Sequence, residues 1–128
     1  MVDQSAFKDA MSQLAAAVAI VTTGSATDPH GTTVSAFMSL SLDPPMVLVS
    51  LDQRSSLLAL LAEGASIGIN VLSTEQNMLA RRFASKGVDR FAGVEWQMAD
   101  GAPQLGGNHT WVAGRVAQMI AAGDHVLV

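Results

Sequence analysis

The feature that most constrains the fold is the stretch Gly31–Ser56, GTTVSAFMSLSLDPPMVLVSLDQRSS. Two runs rich in β-branched, apolar and hydroxyl residues flank Asp43-Pro44-Pro45. Proline offers no backbone donor, so this triplet cannot continue a central strand and must turn a corner. The stretch therefore predicts strand, corner, strand, with Thr32–Phe37 and Ser39–Leu42 on one side and Met46–Leu51 on the other. Beyond it, Ser50-Leu51-Asp52-Gln53-Arg54-Ser55-Ser56 leads into a turn whose hydroxyls can open a helix.

The flanking sequence predicts more of the same. Phe7, Ala10, Met11 and Leu14 recur at helical spacing, giving a helix over Ser5–Leu14 with Ser5 as its cap. Ala17–Thr23 reads as a buried strand, Gly24–Gly31 as a turn, and Ser66–Leu72 as another strand. A helix is expected over Ser55–Ala62, ended by Gly64. A second runs from Ser73 to about Phe83, where Ser73 and Gln76 have capping-box spacing. Residues 84–93 read as a polar loop, Val94–Met98 as a short strand and Ala99–Gly107 as a loop. Asn108–Ile120 and Asp124–Val128 read as two strands joined by Ala122-Gly123. Six strands without regular long helices between them disfavour a doubly wound parallel sheet. The predicted fold is mainly β, an antiparallel split barrel with short helical insertions.

Composition narrows the function classes. A chain of 128 residues is expected to form one domain, 1–128. Charged residues make up 14% against a usual value of about 25%. So little polar material predicts that a second face is buried, in a homodimer. The formal net charge of −4 comes without a basic block, so no nucleic-acid partner is expected. With no cysteine, thiolate catalysis, disulfides and Cys-ligated metals are excluded. The N-terminus does not read as a secretory signal, and the apolar run Leu14–Val21 is too short to cross a bilayer. A cytoplasmic protein with no membrane partner is the expectation.

Four groups of residues could carry chemistry. Thr32, Thr33, Ser35, Ser39 and Ser41 are either ordinary strand residues or a hydroxyl-lined ligand surface. The turn Ser50–Ser56, with Arg54, is either a helix cap with a solvated arginine or an anion site. Arg81, Arg82 and Lys86 place three of the chain's seven Lys and Arg residues at one helix end. That arrangement serves the helix dipole or an anionic partner such as a phosphate. His125 follows a turn at Gly123-Asp124. His30, His109 and His125 lack metal-ligand spacing, and no metal is expected. No Ser-His-Asp set, carboxylate pair or glycine-rich dinucleotide fingerprint is present.

These segments, in this order, resemble the flavin reductase family. The resemblance is carried by GTTVSAFMSLSLDPP, VLVSLD with Ser55-Ser56, INVLSTEQNMLARRFAS, the Asp89–Gly93 loop, Gly101–Leu105 and Ala122-Gly123-Asp124-His125. It runs almost end to end and implies an FMN-binding split barrel. It also implies NAD(P)H-dependent reduction of FMN or FAD, with NADH or NADPH as co-substrate, by hydride transfer to flavin N5. The reduced flavin would pass to a partner monooxygenase. By the resemblance, Thr33, Val34, Ser35 and Ala36 line the isoalloxazine and ribityl region, and Ser50, Leu51 and Asp52 flank its other side. Ser55 and Ser56 hold phosphate, and Phe83, Ala84, Ser85 and Lys86 close over it. His125, the catalytic candidate, orients the nicotinamide. Family members carry a further strand and tail after this point that the chain is expected to lack. The alternative is a split-barrel module that holds flavin without reducing it.

Overall fold

The run Ala19–Thr23 is apolar or hydroxyl at every position, and it becomes a strand covered on both faces. In a strand, alternate side chains point to opposite sides. Here Ala19 and Val21 face one core while Ile20 faces another, and all three are completely buried. A computed structural model describes residues 2–128, and this two-sided strand is the axis on which it is built.

Among the described residues, ten strands and two α-helices follow in the order α1 (Gln4–Met11), β1 (Ala19–Gly24), β2 (Pro29–Val34), β3 (Phe37–Leu42), β4 (Pro45–Asp52), β5 (Ser66–Val71), α2 (Asn77–Arg82), β6 (Trp96–Ala99), β7 (Ala102–Leu105), β8 (Thr110–Arg115), β9 (Ile120–Ala122) and β10 (His125–Leu127). One sheet has the order β2-β1-β5-β8, a second β3-β4-β10-β9, and β6-β7 form a hairpin. Every strand pairing is antiparallel. The two four-stranded sheets enclose Ala19, Val21, Val49, Leu51, Leu57, Ile67, Ile69 and Val116. The expected mainly β, antiparallel architecture is what the chain adopts.

A second core lies outside the first sheet. Phe83, fully buried, meets Phe91 edge-on at 5.0 Å between ring centroids, and Phe91 meets Trp96 at 5.3 Å. Burying a phenylalanine of this kind contributes about 2–3 kcal/mol. This cluster seats α2 and the following loop against β1. The β6-β7 hairpin is tied to the same sheet by polar bonds. Thr22 Oγ1 donates to the Pro103 carbonyl at 2.6 Å. Asn70, fully buried, donates from Nδ2 to the Ile20 carbonyl at 3.0 Å. Its Oδ1 accepts from Leu105 N at 2.8 Å and from Asn108 Nδ2 at 2.6 Å.

Several local expectations are corrected. The helix over Ser55–Ala62 is only a 3-10 turn at Leu58–Leu60, because Leu57 and Leu61 are drawn into the core on either side of it. The helix from Ser73 begins as a 3-10 turn at Thr74–Gln76 and continues as α2. Its predicted cap is present, with Ser73 N–H donating to Gln76 Oε1 at 2.8 Å. The cap of α1 is Asp3 rather than Ser5, its carboxylate accepting from Ser5 N–H at 2.9 Å. The loop expected over Ala99–Gly107 contains β7. Asp100 (φ 50°) and Gly101 (φ 87°) turn the β6-β7 hairpin there. The single strand expected over Asn108–Ile120 is broken into β8 and β9, which belong to different sheets. Likewise Thr32–Phe37 is not one strand: the chain leaves the first sheet at Val34 and enters the second at Phe37.

Candidate functional site

The crossing from β2 to β3 exposes Ser35 and Ala36. It is held in place because the Ala36 carbonyl accepts from Ser50 N–H at 2.9 Å, on β4. On the other side of β4, β10 runs antiparallel, pairing Ser50 with Leu127, Leu51 with Val126 and Asp52 with His125. The end of β4 then turns back, Ser55 N–H donating to the Asp52 carbonyl at 2.9 Å. A continuous edge results: Ser35-Ala36, Ser50, Asp52 beside His125, then Ser55 and Ser56.

Ser56 opens into a pocket of about 340 Å³. Ser85, Lys86 and Arg90 line its walls together with His30 and Gly31. Two arginines build these walls. Arg90 donates from Nη1 to the Gly31 carbonyl at 2.7 Å and from Nε to the Ser85 carbonyl at 3.0 Å, joining β2 to the loop. Arg82 is spent on the same loop, donating to the carbonyls of Asp89 (2.8 Å), Arg90 (2.9 Å) and Ala92 (2.7 Å). The single carboxylate in the lining, Asp89, accepts from Phe91 N–H at 3.2 Å. Lys86, exposed, makes no ion pair among the described residues. Hydroxyls, a compact cation and a fixed arginine in one concavity form a donor set suited to a phosphate.

Between Ser50 and Ser55, Arg54 closes on Asp52. Its backbone N–H and Nε both reach Asp52 Oδ1, at 2.8 and 3.1 Å, and Nη2 reaches Oδ2 at 2.9 Å. These bonds hold the Asp52 carboxyl well below the ordinary carboxylate value of 3.8, and they raise the Arg54 guanidinium. Arg54 therefore does not stand free as an anion-binding charge. His125 Nδ1 lies 2.8 Å from Asp124 Oδ1.

Among the residues singled out from sequence, Ser56, Ser85 and Lys86 come together in one pocket. Ser35, Ala36, Ser50, Asp52, Ser55 and His125 lie along the edge that leads to it, and Ala84 is exposed nearby. Others turn inward. Phe83 is wholly buried, Leu51 is 2% exposed and Val34 8%, so these side chains support the site from the core. The Thr33 hydroxyl donates to the Ala80 carbonyl at 2.6 Å, fastening α2 to β2. Of the three cations at the end of α2, Arg82 serves the loop rather than a ligand. Arg90, His30 and Gly31 were assigned no role from sequence. Arg90 lies in the Asp89–Gly93 loop that carries part of the family resemblance, but its hydrogen-bond partners lie 5 and 59 residues away, so its role leaves no local signal.

The family model described as flavin reductase like domain matches residues 11–128. The chain is 39% identical over 125 residues to an NADH:riboflavin 5'-phosphate oxidoreductase of Streptomyces pristinaespiralis, covering 95% of the chain and 71% of that relative. It is 34% identical to the reductase component of a 4-nitrophenol 4-monooxygenase/4-nitrocatechol 2-monooxygenase of Rhodococcus opacus, covering 96% of the chain and 66% of that relative. Among solved structures it superimposes with a TM-score of 0.90 and 29% identity on the NADH:FAD oxidoreductase of Streptomyces globisporus, determined with NAD and FAD fragments. That match covers 98% of the chain and 76% of the other.

Proposed function

The chain belongs to the flavin reductase-like domain family, and on that premise we propose that it oxidises NADH and reduces a flavin, FMN or FAD. The observation that carries this reading is the pocket where Ser56, Ser85, Lys86 and Arg90 converge, at the end of an edge that leads to His125. A flavin phosphate fits that donor set. Lys86 supplies a mobile ammonium, Ser56 and Ser85 supply hydroxyls, and Arg82 and Arg90 keep the loop in place. Ser35, Ala36 and Ser50 offer backbone and hydroxyl groups to the polar edge of a flat ring. A flavin held there would supply the redox chemistry, as acceptor at N5 of the nicotinamide hydride. The protein's part is orientation and neutralisation of developing negative charge. No strong general base is required, which agrees with the lack of a buried carboxylate or of a nucleophile–base pair along this edge.

The reduced flavin is proposed to leave for a partner monooxygenase, a reading supported by the similarity to the Rhodococcus reductase component. A site of neutral hydroxyls with an exposed lysine suits a flavin that must be released. The enzyme is proposed to act in the cytoplasm as a homodimer. Support for the second copy is the apolar surface: α1 buries none of its residues, and Phe7, Met11, Leu40, Leu42 and Ile120 are 45–90% exposed. No helix among the described residues is long and apolar enough to cross a membrane.

The test is NADH consumption by the purified protein with and without added FMN or FAD. A flavin-dependent rate is expected. Flavin binding without any such rate would instead mark a module that holds flavin without reducing it.

A further inference from the structure

The geometry points to a second ligand site, separate from the flavin pocket and independent of the flavin reading, that takes a small aromatic amine. It is a cavity of about 390 Å³ between the β6-β7 hairpin and the start of β8. That size falls within the range of small-molecule pockets, roughly 300–1,000 Å³. The cavity shares no lining residue with the pocket that unites Ser56, Ser85 and Lys86. Both tryptophans of the chain, Trp96 and Trp111, line it, and each is half-buried. Glu95 is the one carboxylate of the lining, which contains no lysine or arginine. Glu95 is exposed and makes no ion pair among the described residues. Its side chain rests against Gly106, where an added Cβ would stand 2.9 Å from Glu95 Cδ. An uncompensated negative charge beside two indole rings attracts a cation, because the ring faces are themselves electron-rich. An aromatic body on that cation packs against the same rings. Gln97 and Gln104, opposite each other in the β6-β7 register, add neutral amides that can accept from an ammonium. Phosphate-bearing ligands such as FMN meet no fixed cation here.

The walls are pinned by the protein's own bonds. Gly106 N–H donates to the Glu95 carbonyl at 2.9 Å. Gln76 Nε2 donates to the Gly106 carbonyl at 2.8 Å and to Asn108 Oδ1 at 3.2 Å. His109 N–H donates to the Val71 carbonyl at 2.9 Å, seating the loop on the end of β5. Trp111 Nε1 donates to Asp100 Oδ2 at 3.0 Å, tying β8 to the hairpin turn. The Trp96 ring is braced by Phe91. A cavity held in this way loses little freedom when a ligand enters. His109, whose Nδ1 lies 2.9 Å from Thr110 Oγ1, is the other titratable group of the lining.

The test titrates the full chain with benzylamine, and with benzyl alcohol and benzoate as its neutral and anionic counterparts. At about pH 8 an ordinary imidazole is neutral while benzylamine is still an ammonium. The chain has no tyrosine, so its near-ultraviolet emission comes from the two tryptophans of the site. Benzylamine is expected to change that emission saturably and to bind at least about tenfold tighter than benzyl alcohol, with no saturable response to benzoate. Glu95→Gln is expected to weaken benzylamine about tenfold at an unchanged melting temperature, and Glu95→Lys to abolish its binding. Calorimetry is expected to give the same benzylamine affinity with and without saturating FMN. The inference is overturned by equal affinities for the amine and the alcohol, by the lack of a saturable response, by full affinity in Glu95→Gln, or by displacement with FMN.

Discussion

Arg90 reaches across 59 residues of sequence to donate from Nη1 to the Gly31 carbonyl, 2.7 Å away. Gly31 also packs against the second core. A Cβ built there would stand 2.9 Å from Phe83 Cε2 and 3.3 Å from Ile20 Cγ2. One residue thus accepts the guanidinium on one side and admits the Phe83 ring on the other. The wall of the pocket and the packing that supports it are the same piece of chain.

Replacing Arg90 should therefore affect both folding and binding. Arg90→Leu removes two hydrogen bonds and is expected to cost about 1–3 kcal/mol of stability, read by denaturant melts. The same change is expected to weaken FMN, since Ser85 and Lys86 lose their anchor.

Lys86 separates the two effects. It is exposed and unpaired among the described residues, so Lys86→Ala is expected to leave the melting temperature unchanged. FMN affinity is expected to fall about tenfold, the loss of one charge-assisted bond to phosphate. Riboflavin, which has no phosphate, should bind both proteins equally in a fluorescence titration.

Two glycines in neighbouring strands should respond in opposite ways to alanine. At Gly68 of β5 a Cβ would run into the Trp111 ring and stand 2.7 Å from Thr22 Oγ1. Gly68→Ala is expected to destabilise by about 1–3 kcal/mol. At Gly114 of β8 nothing lies within 4 Å of the added atom. Gly114→Ala is expected to be neutral or to stabilise by up to about 1 kcal/mol. Equal melts for the two variants would contradict the packing described.

Asp52 sets a small acid dependence. Its carboxyl is held below the ordinary value of 3.8, chiefly by the side-chain and then the backbone hydrogen bond from Arg54. A group depressed in the folded state stabilises it in full above the unfolded value, and that contribution is lost as pH falls from there toward the folded value. Arg54→Met should therefore be less stable than the native chain near neutral pH, with the gap closing below about pH 4. Arg54 is well exposed, so salt should shrink the gap as well. A gap that widened on acidification would contradict the pairing.

How much of this was legible in the sequence depends on the range of the forces involved. β1, β4 and β5 were readable because each is a short run rich in apolar or β-branched residues, and the Ser73–Gln76 cap because its partners are three residues apart. β7 was missed although Asp100-Gly101 is a strong hairpin signal. Pro103 argued against a strand, yet its carbonyl, which a proline keeps, accepts the Thr22 hydroxyl. The break between β2 and β3 left no local mark, because it is enforced by the Ala36–Ser50 bond from another strand. In the site, Ser56, Ser85 and Lys86 were named from resemblance, and the pocket unites them. Phe83 was named with them but belongs to the core. Nothing in the motif Arg-Arg-Phe-Ala-Ser distinguishes an aromatic that covers a ligand from one that anchors a loop.

The central claim is that this chain passes electrons from NADH to a flavin held along the edge from His125 to Lys86. The most direct measurement mixes the protein anaerobically with FMN and NADH and follows the visible absorbance of the flavin. The account predicts bleaching that depends on the protein and saturates with NADH, slowed in Lys86→Ala at low FMN and restored at high FMN. Bound FMN that keeps its colour in the presence of saturating NADH would contradict it.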